Sequence, residues 1–165
     1  MTKKITCLFL FSINMTSIHA QFKYPSPHTT LIQQVGYTNI ELNYDRPAAR
    51  GRKIFGGLVP FGVLWPTGAS DATNITFDKD VRIEGKPVKA GIYALFTIPN
   101  QDYWELILNS EPNQYGTFEY QDELDVIRIK VPVQKLQHFQ ESLTFSFDFV
   151  PRNAIMSISW VNVKV

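Results

Sequence analysis

At 165 residues the chain has the length of one domain. Its 16 basic and 15 acidic residues leave a net charge of +1, which removes the electrostatic case for a nucleic-acid partner or an anionic membrane surface. A hydrophobic fraction of 44% excludes a disordered chain, and a single Cys excludes an internal disulfide.

The first 20 residues read as an address. Lys3 and Lys4 precede an apolar run from Ile5 to Ile13, and the stretch ends on Ala20. The run is shorter than the roughly 20 apolar residues that span a bilayer. Basic, apolar and small-residue zones in this order predict a signal peptide cleaved after Ala20, hence export to the periplasm or the medium. Cys7 lies ahead of most of the apolar run, so a lipid anchor on it is not expected. Cleavage takes two Lys and no acid with it, which moves the net charge from +1 to −1. No later apolar run is long enough for a transmembrane segment, so a soluble mature chain is expected.

All ten Pro and all nine Gly lie after residue 20 and punctuate the chain too often for long helices. Between them the hydrophobic period is two. Ile40, Leu42 and Tyr44 alternate with Glu41 and Asn43. Further along, Ile75 and Phe77, then Val81 and Ile83, repeat the pattern. Residues 84–91, EGKPVKAG, mark a turn, with Gly85 available for positive φ. IYALFTI, residues 92–98, is apolar on both sides and predicts a central strand, paired across Pro99–Asp102 with WELILN, residues 104–109. Ile127 to Val133 and Leu143 to Phe149 alternate again. Met156, Ile158 and Trp160 do so until the phase slips to Val161, Val163 and Val165, which predicts a β-bulge near Trp160. Residues 21–165 are therefore expected to form one all-β domain, an antiparallel β-sandwich or jelly roll of about eight or nine strands.

Residues 46–71, RPAARGRKIFGGLVPFGVLWPTGASD, do not fit that pattern. They hold Arg46, Arg50, Arg52 and Lys53, four of the chain's 16 bases, with apolar residues too numerous to lie free in solvent. Long segments without regular structure are uncommon in compact domains and tend to be functional, so one long ordered loop laid over the sandwich is expected. The run Gly51-Arg52-Lys53-Ile54-Phe55-Gly56-Gly57-Leu58-Val59-Pro60-Phe61-Gly62, then Trp65-Pro66-Thr67-Gly68-Ala69, resembles the uncharacterised family catalogued as domain of unknown function 2911. The likeness continues through Trp104–Asn109 and Asn113–Gly116. It implies a small exported bacterial protein with a β-rich domain and brings no established activity. Members often carry an Arg after the Trp, where this chain has Pro66.

Catalytic signatures are sparse. No phosphate-binding Gly-rich loop, no His-Glu-x-x-His and no dinucleotide fingerprint occurs. Gly68-Ala69-Ser70-Asp71-Ala72 comes near a nucleophile elbow, but a strand pattern follows where a helix is needed. His28 and His138 stand 110 positions apart and make a poor start for a zinc site, so no metal and no cofactor is expected. Asp78 and Asp80 fit a turn better than a Ca²⁺ site. Glu119, Asp122, Glu123 and Asp125 fit a solvated loop better than a glycosidase pair. No residue is assigned a catalytic role.

The basic cluster is the feature that chemistry singles out. Arg forks fit carboxylate, phosphate or sulfate, and they serve equally to fasten a loop through backbone carbonyls or to pair with Asp45 or Asp71. Of the aromatics in or beside loops, Trp65, Trp104, Tyr115 and Tyr120, packing at the edge of the core is the plainer role and stacking on a ligand the other. The reading that follows is a binding module of the cell envelope. Its expected ligand-binding residues are Arg46, Arg50, Arg52, Lys53, Trp65 and Asp71, and its expected ligand is a small molecule, an acidic glycan, a peptide carboxylate or an envelope protein. A hydrolase of envelope or extracellular polymers and a purely structural envelope protein are the alternatives. An acid–base pair in an open pocket would mark the hydrolase.

Overall fold

Alternation at period two drives this chain into strands, and the strands bury their apolar side between two layers. The computed structural model describes residues 25–165. The expected leader, residues 1–20, lies outside the described residues. Ten strands run β1 His28–Val35, β2 Thr38–Asp45, β3 Thr73–Phe77, β4 Val81–Ile83, β5 Lys86–Val88, β6 Gly91–Pro99, β7 Tyr103–Asn109, β8 Asp125–Pro132, β9 Gln134–Val150 and β10 Asn153–Lys164. The fold is the expected all-β antiparallel sandwich, with no α-helix among the described residues.

One layer is a six-stranded sheet in the order β1-β2-β3-β6-β7-β8. The other is the long hairpin of β9 and β10. Ile40, Leu42, Ile75, Leu95, Leu106, Leu108 and Ile129 point from the sheet into one core with Leu143, Phe145, Ile158 and Trp160 of the hairpin. Tyr44 of β2 meets Phe145 of β9 edge-on at 4.6 Å between ring centroids, so the layers interlock through aromatic side chains. β6 is buried on both faces, as its unbroken apolar run requires. Ala94, Phe96 and Ile107 form a smaller cluster on the outer face, covered by Leu64 and Tyr120 from flanking loops.

β4 and β5 form a separate two-stranded ribbon that shares no ladder with either layer. Its two-residue turn, Glu84 and Gly85, has φ of 47° and 76°, the double positive pattern of a tight hairpin turn. The phase slip near Trp160 is real. The β9–β10 register shifts on both sides of Val161, which sits at φ 50°. The chain then doubles back, and Val165 exchanges two backbone hydrogen bonds with Ile158.

Candidate functional site

The 46–71 segment is an ordered plug that ties the two layers together at one end of the sandwich. Its start joins the hairpin layer, where Ala48 bridges Ser142, the Ala49 N–H donates to the Glu141 carbonyl and the Leu143 N–H to the Pro47 carbonyl. Its end joins the sheet, where Trp65 and Thr97 exchange backbone hydrogen bonds of 2.8 and 2.9 Å. Between them, Gly62 N–H donates to the Pro99 carbonyl, which sets the loop beside the β6–β7 turn.

The middle of the plug is a tight knot. The N–H groups of Gly57 and Val59 both reach the Ile54 carbonyl, and that of Leu58 reaches Lys53. A Cβ at Gly57 would lie 2.5 Å from the Lys53 carbonyl oxygen, so only glycine fits. Gly56 has φ +70°, and a Cβ there would strike the Phe61 ring at 2.8 Å. The Gly-Gly pair is therefore a backbone requirement. It aims Ile54, Phe55 and Val59 inward and leaves Lys53 and Phe61 outside. Phe55 reaches all three tryptophans, at ring-centroid distances of 6.4 Å to Trp65, 5.0 Å to Trp104 and 6.1 Å to Trp160.

The six expected ligand residues divide by what they touch. Arg46 donates from Nε to the Leu143 carbonyl and from Nη2 to Thr144 Oγ1, both at 2.9 Å. Arg50 donates its backbone N–H to Glu141 Oε1 at 2.8 Å, and its guanidinium to the Pro25 carbonyl. Arg52 donates to the carbonyls of Ala49 and Ala48 at 3.0 and 2.7 Å. These three Arg fasten the loop by backbone and hydroxyl oxygens. Asp45, weighed as a partner for them, instead takes His28 Nδ1 at 3.1 Å. Trp65 is buried in the core and donates Nε1–H to the Gly68 carbonyl at 3.0 Å. Asp71 is exposed and bridges Tyr115 on the far side of the loop. Of the six, Arg52 and Lys53 come together in the wall of one cavity.

That cavity is a cleft of about 540 Å³. Arg52, Lys53, Phe55 and Phe61 of the plug form one wall, and Asn100, Gln101 and Trp104 of the β6–β7 hairpin form another. Phe139 of β9 and Val161 to Val163 of β10 close it. Lys53 is exposed, and among the described residues no salt bridge engages Lys53 or Arg52. Among the described residues that line it, none is Asp, Glu or His. Phe139, 63% exposed, and Asn162 went unnoticed in the sequence. Residues 134–142 carry no alternation, and nothing local joins positions 52, 100, 139 and 162.

The acidic stretch behaves as a loop tether. Tyr120 donates to Asp125 Oδ2 at 2.7 Å, and Arg128 bridges Asp125 and Glu105 at 2.9 and 3.3 Å. Burial first, then the Asp125 carboxylate, pushes the Tyr120 hydroxyl well above its ordinary value. Ser70 has φ 61°, but β3 follows it, and His28 engages Asp45. Among the described residues no group of three or more His, Cys, Asp or Glu is placed to hold a metal ion. Among the described residues no helix is long and apolar enough to cross a membrane.

The family model described as "Protein of unknown function (DUF2911)" matches residues 26–165, so the chain belongs to that family. No curated protein and no solved structure matches the chain.

Proposed function

We propose that this member of the DUF2911 family is an exported binding module, and that the cleft beneath the 46–71 plug takes an anionic ligand with an apolar or planar face. One observation carries the reading: the cleft joins two cations, three side-chain amides and aromatic walls, with no carboxylate or imidazole among its lining residues. Arg52 spends two of its five N–H donors on the loop, which leaves the others for a ligand. Lys53 adds a mobile point charge. Asn100, Gln101 and Asn162 present donors and acceptors of the kind that reads hydroxyl groups. Phe61 and Phe139 offer faces on which a sugar ring or an apolar side chain rests.

An acidic glycan or a peptide ending in a free carboxylate meets all of these groups. Hydrolysis of such a ligand needs a titratable acid–base pair, and the described lining residues supply none, so binding is the reading favoured over a hydrolase. Export rests on the N-terminal pattern of residues 1–20 and is tested by sequencing the N-terminus of the protein recovered from its native compartment.

The binding test is direct. Titration with a uronic-acid oligosaccharide, a neutral oligosaccharide of equal length and a short free-carboxylate peptide is followed through tryptophan fluorescence, with Trp104 as the reporter in the cleft wall. An anionic probe should bind, and its affinity should fall with salt. Replacing both Arg52 and Lys53 by Gln should weaken it about tenfold. Equal affinity for neutral and anionic probes, or no binding by any, overturns the reading.

A further inference from the structure

A second cavity opens at the other side of the sandwich, under the β4–β5 ribbon. It measures about 310 Å³ and lies between the two layers. Ile75, Phe77, Ile83, Leu106, Phe147 and Met156 are among its walls, and every one is apolar. Its mouth is different. Arg82 from the ribbon and Arg152 from the β9–β10 turn both line it, with Glu84 at the ribbon tip as the one carboxylate. Arg82 gives one donor to the Gly85 carbonyl at 2.8 Å, and among the described residues no salt bridge engages Arg82, Arg152 or Glu84.

We infer that this cavity is a binding site for the single alkyl chain of an anionic amphiphile, a fatty-acid-like molecule, with its tail between the layers and its head group at Arg82 and Arg152. The volume argument comes first. A protein cavity of about 150 Å³ accepts benzene, and this one is about twice that size, room for a longer apolar group. The groove is open at its mouth, so its apolar walls face water until a ligand covers them, and an alkyl chain laid between the layers takes both surfaces out of water. The charge argument selects the head. Two Arg against one Glu leave the mouth net cationic, so an anionic head is preferred to an uncharged or cationic one. The access argument is the ribbon itself. It carries Val81 and Ile83 over the cavity and forms no ladder with either layer, while Val88 anchors its base in the core, so the cavity mouth lies at the ribbon tip, between Arg82 and Arg152.

This site is separate from the cleft under the 46–71 plug and shares no lining residue with it. Its success or failure is therefore independent of the proposed anion cleft.

Calorimetric titration of the protein with hexanoate, octanoate, decanoate and dodecanoate, below their micelle concentrations, tests it. Affinity should rise about fourfold per added methylene until the cavity is full, then level off. Dodecanol should bind about tenfold more weakly than dodecanoate, and dodecyltrimethylammonium more weakly still. Replacing both Arg82 and Arg152 by Gln leaves Glu84 as the one charge at the mouth, and should remove the preference for dodecanoate while keeping the chain-length trend. Filling the cavity with Ala154→Trp should abolish binding, with folding checked by circular dichroism. Should that variant not fold, the paired Arg variant alone decides. Arg52→Gln with Lys53→Gln should leave dodecanoate affinity unchanged. Absence of a chain-length trend, or equal affinity for the three head groups in the native protein, overturns the inference.

Discussion

Trp65, from the plug, and Trp160, from β10, stack with ring centroids 5.9 Å apart and an interplanar angle of 18°. The stack joins the sheet layer to the hairpin layer, because Trp65 is hydrogen-bonded to Thr97 of β6 while Trp160 donates Nε1–H to the Glu141 carbonyl at 3.0 Å. The plug is thus a structural member of the core. Trp65→Ala should cost about 3–5 kcal/mol, the loss of a large buried aromatic plus the cavity it leaves. Urea unfolding at fixed m-value measures it. A change below about 1 kcal/mol would show that the loop contributes little to the core.

Arg46 is the second fastening. Its guanidinium holds the Leu143 carbonyl and Thr144 Oγ1 on β9, in a half-buried position. Arg46→Ala should destabilise by about 1.5–3 kcal/mol, since a charged donor is lost and a carbonyl is left without it. Arg46→Lys should recover little, because one ammonium cannot span both acceptors as the planar fork does. Chemical denaturation of the two variants side by side checks both statements. Full recovery by Lys would mean that charge, rather than fork geometry, holds the loop.

The strands with one wet and one dry face were largely legible from alternation: in the run Leu143 to Phe149, Leu143 and Phe145 enter the core and Phe147 packs against it, whereas Phe149, beyond the edge of the facing sheet's core, is 60% exposed. Two parts were not. β1 alternates between exposed and half-buried positions, but Thr29 and Gln33 share the half-buried side with Leu31 and Val35, and the first half of β9 is wet on both sides, so neither carries an apolar period to read. The plug's apolar residues were visible as an excess but not as a plan. Their inward placement comes from the Gly56–Gly57 knot and from bridges to residues 97 and 142, which are distant in sequence. The cleft was half legible. Arg52 and Lys53 were singled out for charge, whereas Asn100, Phe139 and Asn162 join them only through folding.

The ribbon turn carries a correctable strain. Glu84 sits at φ 47°, a conformation that costs an ordinary L-residue about 1–2 kcal/mol and that Asn tolerates. Glu84→Asn would create the Asn-Gly pair preferred in such turns, and should stabilise the protein by about 0.5–1 kcal/mol. Gly85→Ala should do the reverse, by about 1 kcal/mol, even though a Cβ there meets nothing within 4 Å. A matched pair of thermal melts reads both signs. If Gly85→Ala is neutral, the backbone account of this turn is wrong.

Acid should loosen the base of the same ribbon. Asp78 accepts the Asn39 N–H and side-chain amide at 2.8 Å each, and the Asn39 N–H is the chief reason its carboxyl lies below the ordinary 3.8. Asp80 is held below 3.8 first by the Lys89 ammonium and then by the Ala90 N–H. Both carboxyls are therefore depressed in the folded state. Their contribution is complete above the unfolded value and is lost as pH falls below 3.8 through the folded values. Asp80 joins the residue before β4 to the two residues after β5, so its protonation releases both ends of the ribbon at once. Amide hydrogen exchange of Val81 to Val88 should quicken on acidification before that of β6. The Asp78→Asn, Asp80→Asn double variant should show faster ribbon exchange already at neutral pH and a flatter acid limb in urea midpoint against pH. An acid limb as steep as that of the native protein would place the responsible carboxylates elsewhere.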